Sequence, residues 1–200
     1  MKEVVTAEDV WAAPAGGELR APVGAVVTPW AQEVAASRGV RILQAPQGAP
    51  SRVIALGADH GGFALKEELK AGLTRKGVPV RDFGTFSTEP VDYPDLALAV
   101  ARAVQRGEAA AGILVDGAGI GSSMAANKVP GVRAALCVDV AAARNAREHN
   151  DANVLTLGSR FVDAARAQEI VDAFLGARCT EERHLRRVAK ITAIEESFKR

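Results

Sequence analysis

The apolar run Ala111-Gly112-Ile113-Leu114-Val115 closes on a carboxylate, Asp116, and then on three glycines at alternate positions, Gly117, Gly119 and Gly121. A short run without polar interruption predicts a strand buried on both faces, as in a parallel sheet. The alternating glycines let the backbone turn tightly and come close to a ligand. Ser122 to Lys128 predicts a short helix, and the free N–H groups at such a helix start make an anion cradle. Asp116 falls at the carboxyl end of the strand, where open α/β sheets hold their ligands. A carboxylate beside an anion cradle suits a base next to a phosphate or an enolate. Taken alone, the glycine pattern is more often turn chemistry, and Asp116 could simply cap the helix that follows. Ser122 stands where a dinucleotide fingerprint needs its last glycine, and the chain has no Walker-type Gly-Lys-Ser.

Around this loop the pattern alternates strands and helices. Strands are expected at 53–57, 78–83, 111–115, 132–138 and 154–157. Helices are expected at 63–76, 94–105, 122–128, 141–148, 163–175 and 181–196. Strand–helix repetition with short turns means parallel strands covered by helices. The expected fold is α/β: a Rossmann-like three-layer α/β/α sandwich with a five-stranded parallel sheet, plus a small N-terminal extension.

Two hundred residues with 48% hydrophobic content can build a full core. A net charge of +1 and few aromatic residues argue against nucleic acid and acidic membranes as partners. No apolar run is long enough to span a bilayer, and Met1 to Thr6 has no signal-peptide core. The two cysteines, Cys137 and Cys179, have no metal-type spacing. A reducing, cytoplasmic compartment and no metal or other cofactor are therefore expected.

Residues 1 to about 50 differ in composition. They hold five of the nine prolines and both tryptophans, Trp11 and Trp30. Thr6 can cap a short helix, and Thr28-Pro29 reads as the cap and first position of another running to about Ser37. An extra strand and helix are expected here, without internal repeat. The division is 1–45 as an N-terminal extension, 46–51 as a linker and 52–200 as the main domain.

Polar groups are expected to gather along the carboxyl edge of the sheet: Asp59 and His60 after the first strand, Tyr93 after the second, and Asp116 with its glycines after the third. His149 and Asn150 follow the fourth, and Arg160 the fifth. Arg183, His184 and Arg187 open the last helix. Each has a structural reading as a cap, turn or solvated face. Together, carboxylate, imidazole, anion cradle and guanidinium match what proton transfer on a phosphorylated small molecule requires.

These residues, from Gly57-Ala58-Asp59-His60-Gly61-Gly62 through Asp92-Tyr93-Pro94, Gly117 to Lys128, Gly131-Val132-Arg133-Ala134, His149 to Asn153, Gly158-Ser159-Arg160 and Arg183-His184-x-x-Arg187-Val188, resemble the type B ribose-5-phosphate isomerases and their galactose-6-phosphate and allose-6-phosphate relatives. The resemblance implies metal-independent aldose–ketose isomerisation of a sugar phosphate, by ring opening and then proton transfer through an enediolate. It implies that His149 and Asp59 open the ring, and that the backbone of Gly117, Gly119 and Gly121 stabilises the enediolate. His60, Arg160, Arg183 and Arg187 would hold the phosphate, and Asn150 and Tyr93 the sugar hydroxyls. It also implies a homodimer or tetramer with sites built from two subunits. Two departures stand out. Many members place a cysteine base where this chain has Asp116, and another branch has a glutamate where it has Ser122. The hydroxyl residue usual beside the base is Ala118. Asp116 is expected to act as the base; a non-catalytic phosphosugar-binding or regulatory protein is the alternative. Residues 1–45 resemble N-terminal segments of bacterial microcompartment-associated proteins, which implies docking to a shell or partner enzyme.

Overall fold

A computed structural model describes residues 4–22, 25–45 and 53–198, and the linker expected at 46–51 lies outside these. The chain forms two units, Met1–Pro50 and Ser51–Arg200.

The first unit contains β1 (Val4–Val5), α1 (Ala7–Ala12), β2 (Glu18–Pro22), β3 (Val26–Val27), α2 (Pro29–Arg38) and β4 (Arg41–Ala45). The extension is therefore richer than one strand and helix, and it does hold an internal repeat: a strand–helix–strand half occurs twice. Each half opens on Val-Val-Thr. Thr6 forms a capping box with Asp9, and the Thr28 hydroxyl accepts from the Ala31 amide. The halves interleave. β1 pairs with β3 and β2 with β4, both in parallel, so no strand pairs within its own half. Val10, Ala31, Val34 and Ala35 form the centre of a small core. Sequence similarity between the halves is confined to a few residues, and their pairing is non-local.

The second unit has the expected three layers. Its strands are β5 (Ile54–Ala58), β6 (Val80–Asp82), β7 (Ala111–Asp116), β8 (Ala134–Leu136) and β9 (Val154–Gly158), and all pair in parallel in the order β6-β5-β7-β9-β8. The three central strands are buried throughout, which is why each reads as an apolar run. Alternate residues serve opposite faces. Ile54, Leu56, Ile113, Val115, Leu155 and Leu157 meet α3 (Phe63–Arg75), α6 (Val140–Asn150) and α7 (Ala164–Gly176). Ala55 and Leu114 meet α4 (Tyr93–Gln105) and α5 (Ile120–Ala126). A final helix, α8 (Glu182–Ser197), packs on α6.

The sheet order has one reversal. From β5 the chain moves outward to β6, then crosses back to place β7 on the other side of β5. The helices after β5 and β7 leave on opposite faces, so a crevice opens between the carboxyl ends of these strands.

A lysine charge lies in the interior. The Lys66 side chain is 0% exposed, and its ammonium donates to both oxygens of Asp82, at 2.9 and 2.8 Å, and to the Thr85 carbonyl at 2.7 Å. Asp82 also accepts from Lys70 and from the Gly84 amide. Although burial alone would raise its pKa, these hydrogen bonds hold Asp82 below the ordinary carboxylate value. The network ties α3 to the end of β6 and to the turn that follows. Replacing Lys66 by Met keeps the stem and removes the charge. Urea unfolding of this variant is expected to show a loss of about 3 kcal/mol, because Asp82 keeps only Lys70 and the Gly84 amide. A change below about 1 kcal/mol would mean that the pair is dispensable.

Candidate active site

The crevice between β5 and β7 is lined by backbone and by few side chains. β5 runs out into Asp59, His60, Gly61 and Gly62. The Asp59 Oδ1 accepts from the Gly62 amide at 2.9 Å, and His60 Nδ1 accepts from the Val91 amide at 3.3 Å. Gly62 lies so close under β7 that any side chain would run into the Val115 carbonyl. Gly61 faces Gly117, and Ser159 reaches across from β9 to donate to the Gly61 carbonyl at 2.8 Å. A Cβ on Gly117 would lie 3.5 Å from Arg160 Nε, so the guanidinium rests over that glycine. A Cβ on Gly121 would lie 2.6 Å from the Tyr93 ring, so the tyrosine covers the far end of the loop. Asp59, His60, Tyr93, Asp116, Gly117, Gly119, Gly121 and Arg160 thus share one edge.

Asp116 organises this loop. It is only 4% exposed. Its Oδ1 accepts from the amides of Ala118, at 2.7 Å, and Gly119. Its Oδ2 accepts from the Ser122 amide at 3.0 Å and from the Ser122 hydroxyl at 2.5 Å. A carboxylate has about four acceptor positions, and all are filled. Gly119 takes a left-handed conformation, φ 75°, which carries its amide inward and starts the helix at Ile120, earlier than expected. Burial alone would raise the Asp116 pKa, yet the hydrogen bonds from Ser122, Gly119 and Ala118 outweigh it and hold the group ionised below the usual carboxylate range. The amides of Ala118, Gly119 and Ser122 are therefore occupied by the chain's own anion, so that of the three glycine amides expected to face a ligand, the Gly119 one is taken. Among the described hydrogen bonds, those of Gly117, Ile120 and Gly121 are unspent.

His149 and Asn150 are not on this edge. A helix that follows a parallel strand returns the chain to the edge where the strand began. The α6 helix therefore delivers both residues to the amino edge, about 16 Å of helix away from its own start. The contacts agree. Arg133, just before β8, donates to the Asn150 carbonyl at 3.2 Å and to the Asp151 carbonyl at 2.9 Å. Here His149 stacks on His184 of α8, with ring centroids 4.1 Å apart and planes 12° from parallel. A pocket of about 240 Å³ beside them is lined by Glu148, His149, Arg178, Thr180, Glu181 and His184. Arg183 and Arg187 are exposed on the same helix. Among the described residues, no hydrogen bond or ion pair joins this group to the loop at the carboxyl edge.

Sequence reasoning gave no role to His184 or Ser122. His184 is 3% exposed, and both ring nitrogens are buried without a hydrogen-bond partner, Nε2 lying 3.8 Å from the Glu181 carboxylate. Burial, helped by the neighbouring His149, pushes its pKa down. The four-residue spacing of His184 and Val188, the two buried residues of α8, was the available signal. Nothing in the sequence marks Ser122 as the partner of Asp116, because their contact forms only when the loop closes. Among the described residues, no cluster of His, Cys, Asp and Glu could hold a metal ion.

The wiring of Asp116 has a consequence for acid stability. A group whose pKa is depressed on folding contributes stability above its unfolded pKa, near 4, and loses it as pH falls through the folded value. Asp116→Asn is expected to cost roughly 1–3 kcal/mol at neutral pH, since an amide cannot accept from all these donors. Thermal melts of the two proteins should converge below about pH 4. A gap that is the same at every pH would contradict an ionised Asp116.

The family description Ribose/Galactose Isomerase matches residues 54–191. Ribose-5-phosphate isomerase B of Escherichia coli K12 is 52% identical over 143 residues, covering 72% of this chain and 96% of that protein. Among solved structures, the ribose-5-phosphate isomerase B of Clostridium thermocellum is 50% identical with a TM-score of 0.72, over 74% of this chain and 99% of that one. The Mycoplasma genitalium enzyme, solved with bound ribulose-5-phosphate, is 43% identical with a TM-score of 0.69, over 72% and 96% of the two chains. From the arrangement of its second unit and these matches, the chain belongs to the Ribose/Galactose Isomerase family.

Proposed function

We propose that this chain is an aldose–ketose isomerase of sugar phosphates, of the ribose 5-phosphate/ribulose 5-phosphate type, working through an enediolate. The observation that carries the reading is the crevice between β5 and β7, where a carboxylate, a wired glycine loop, an imidazole and a guanidinium converge. The phosphate is held by His60 and Arg160 of one subunit and by Arg183 and Arg187 of another. Arginine forks suit bidentate contact with phosphate oxygens. Tyr93 and Asn150 meet the hydroxyls, and Asp59 with His149 opens the sugar ring. The two halves of this set lie on opposite edges of one sheet, so one subunit cannot offer them all to one small molecule. A homodimer, or a tetramer built from dimers, supplies the second edge.

Asp116 serves as the base for transfer between the two carbons. Its full set of donors makes it a weak base at rest. The same donors lower the cost of the reaction. As Asp116 takes the proton it becomes neutral and releases its amides, and the negative charge appears on the enediolate oxygen a short distance away. The cradle holds one negative charge before and after the step, so its dipoles need little reorganisation.

Residues 1–45 form a docking unit. Trp11 and Trp30, 59% and 64% exposed, are the most exposed of the large apolar groups described in it. With the resemblance noted above, this supports a cytoplasmic enzyme docked to a microcompartment shell or to a partner enzyme. No described helix is long and apolar enough to cross a membrane.

An assay of aldose and ketose phosphates of four to six carbons tests the reading directly. Asp116→Asn is expected to lower kcat by about 10²–10⁴ with little change in affinity. Deuterium uptake from solvent at the second carbon should fall in parallel, and Asp116→Cys should retain activity. A wild-type protein that exchanges no proton with any of these sugars would instead be a phosphosugar-binding protein with Asp116 as its loop cap.

A further inference from the structure

His149 lies in the last turn of α6, and Asn145 stands one turn earlier on the same face. The Asn145 Nδ2 is 3.0 Å from His149 Nδ1. A carboxamide nitrogen only donates, so Nδ1 must present its lone pair. A neutral imidazole that accepts at Nδ1 carries its proton on Nε2. Among the described residues, no hydrogen bond engages that Nε2. The other face of the ring is covered by His184, whose own nitrogens make no hydrogen bond and so do not compete for either side of His149. The α6 backbone, the stacked ring and the Asn145 amide together hold the position and the plane of His149.

We infer that Asn145 is a positioning residue that selects the Nε2–H tautomer of His149, so that His149 meets an oxygen of the sugar phosphate as a hydrogen-bond donor and not as an acceptor. The inference rests on the proposal above that His149 touches substrate, and it adds a direction. Of the two groups assigned to ring opening, His149 is the donor. Asp59, whose Oδ1 is held by Gly62 and whose Oδ2 makes no hydrogen bond among those described, is the acceptor. The assignment also separates the ring-opening carboxylate from Asp116, whose acceptor positions are all taken.

The tautomer can be read in the full-length protein without substrate, by long-range ¹H–¹⁵N spectra of histidine-labelled samples, with His149 assigned by its absence in His149→Asn. Wild type is expected to show an unprotonated Nδ1 and a protonated Nε2. Asn145→Asp offers only acceptors, so it should move the proton to Nδ1 and lower kcat on a ring-closed aldose phosphate by about tenfold or more, with KM within about twofold. Asn145→Ala should leave a mixture of tautomers and a smaller loss. A wild-type ring protonated on Nδ1, or an Asn145→Asp variant that switches tautomer at unchanged kcat, would overturn the inference. The spectra are independent of activity. If His149→Asn retains full turnover, the ring-opening role assigned to His149 fails, whatever tautomer the wild type shows.

Discussion

A buried carboxylate with no countercharge among its hydrogen-bond partners shapes the centre of this protein. Asp116 is stabilised by two loop amides, the Ser122 amide in the first turn of α5 and the Ser122 hydroxyl, each aimed at it by the path of residues 117–122. The dependence runs both ways. Without the anion those donors would be buried and unsatisfied, and without the donors the anion could not stay charged in a site that excludes water. The Gly119 turn, the start of α5, the close approach of Gly61 and Gly117 and the seat of Tyr93 on Gly121 all follow from this arrangement.

The layers of the second unit were legible because hydrophobic burial writes itself into sequence at short range. Val53 to Gly57, Ala111 to Val115 and Val154 to Leu157 have few other places to go. The sheet edges are less legible. Val78 to Phe83 and Val132 to Val138 read as longer strands than the three-residue β6 and β8, since apolar residues continue into the flanking turns. The loop was legible as a site and not as a mechanism. That Asp116 would sit among N–H donors follows from its position. That it would fill every acceptor position, with Ser122 as the closing partner, depends on a three-dimensional closure that no spacing rule supplies.

Two readings shifted for topological reasons. Placing His149 and Asn150 with the other polar residues overlooked the return path of α6, although the crossover rule is available from sequence alone. The structure places them on the amino edge, with α8, and leaves Asp59, His60, Asp116 and Arg160 on the carboxyl edge. The repeat in residues 4–45 was hidden for a different reason. Its halves share a Val-Val-Thr start and little else, and each strand finds its partner more than twenty residues away. Local pattern carries no record of such pairing.

The short outer strands have a consequence for assembly. A sheet edge is a template on which any extended chain can continue the ladder, and a long, flat, apolar edge invites aggregation. Here both outer strands are three residues long. On β6, Arg81 is engaged with Glu108 and Asp82 is enclosed by two lysines. The sheet therefore ends where it stands. Such an edge offers another chain little ladder to extend, so the contact surfaces left to this unit are helices and loops, where side chains, and with them the sequence, set the geometry.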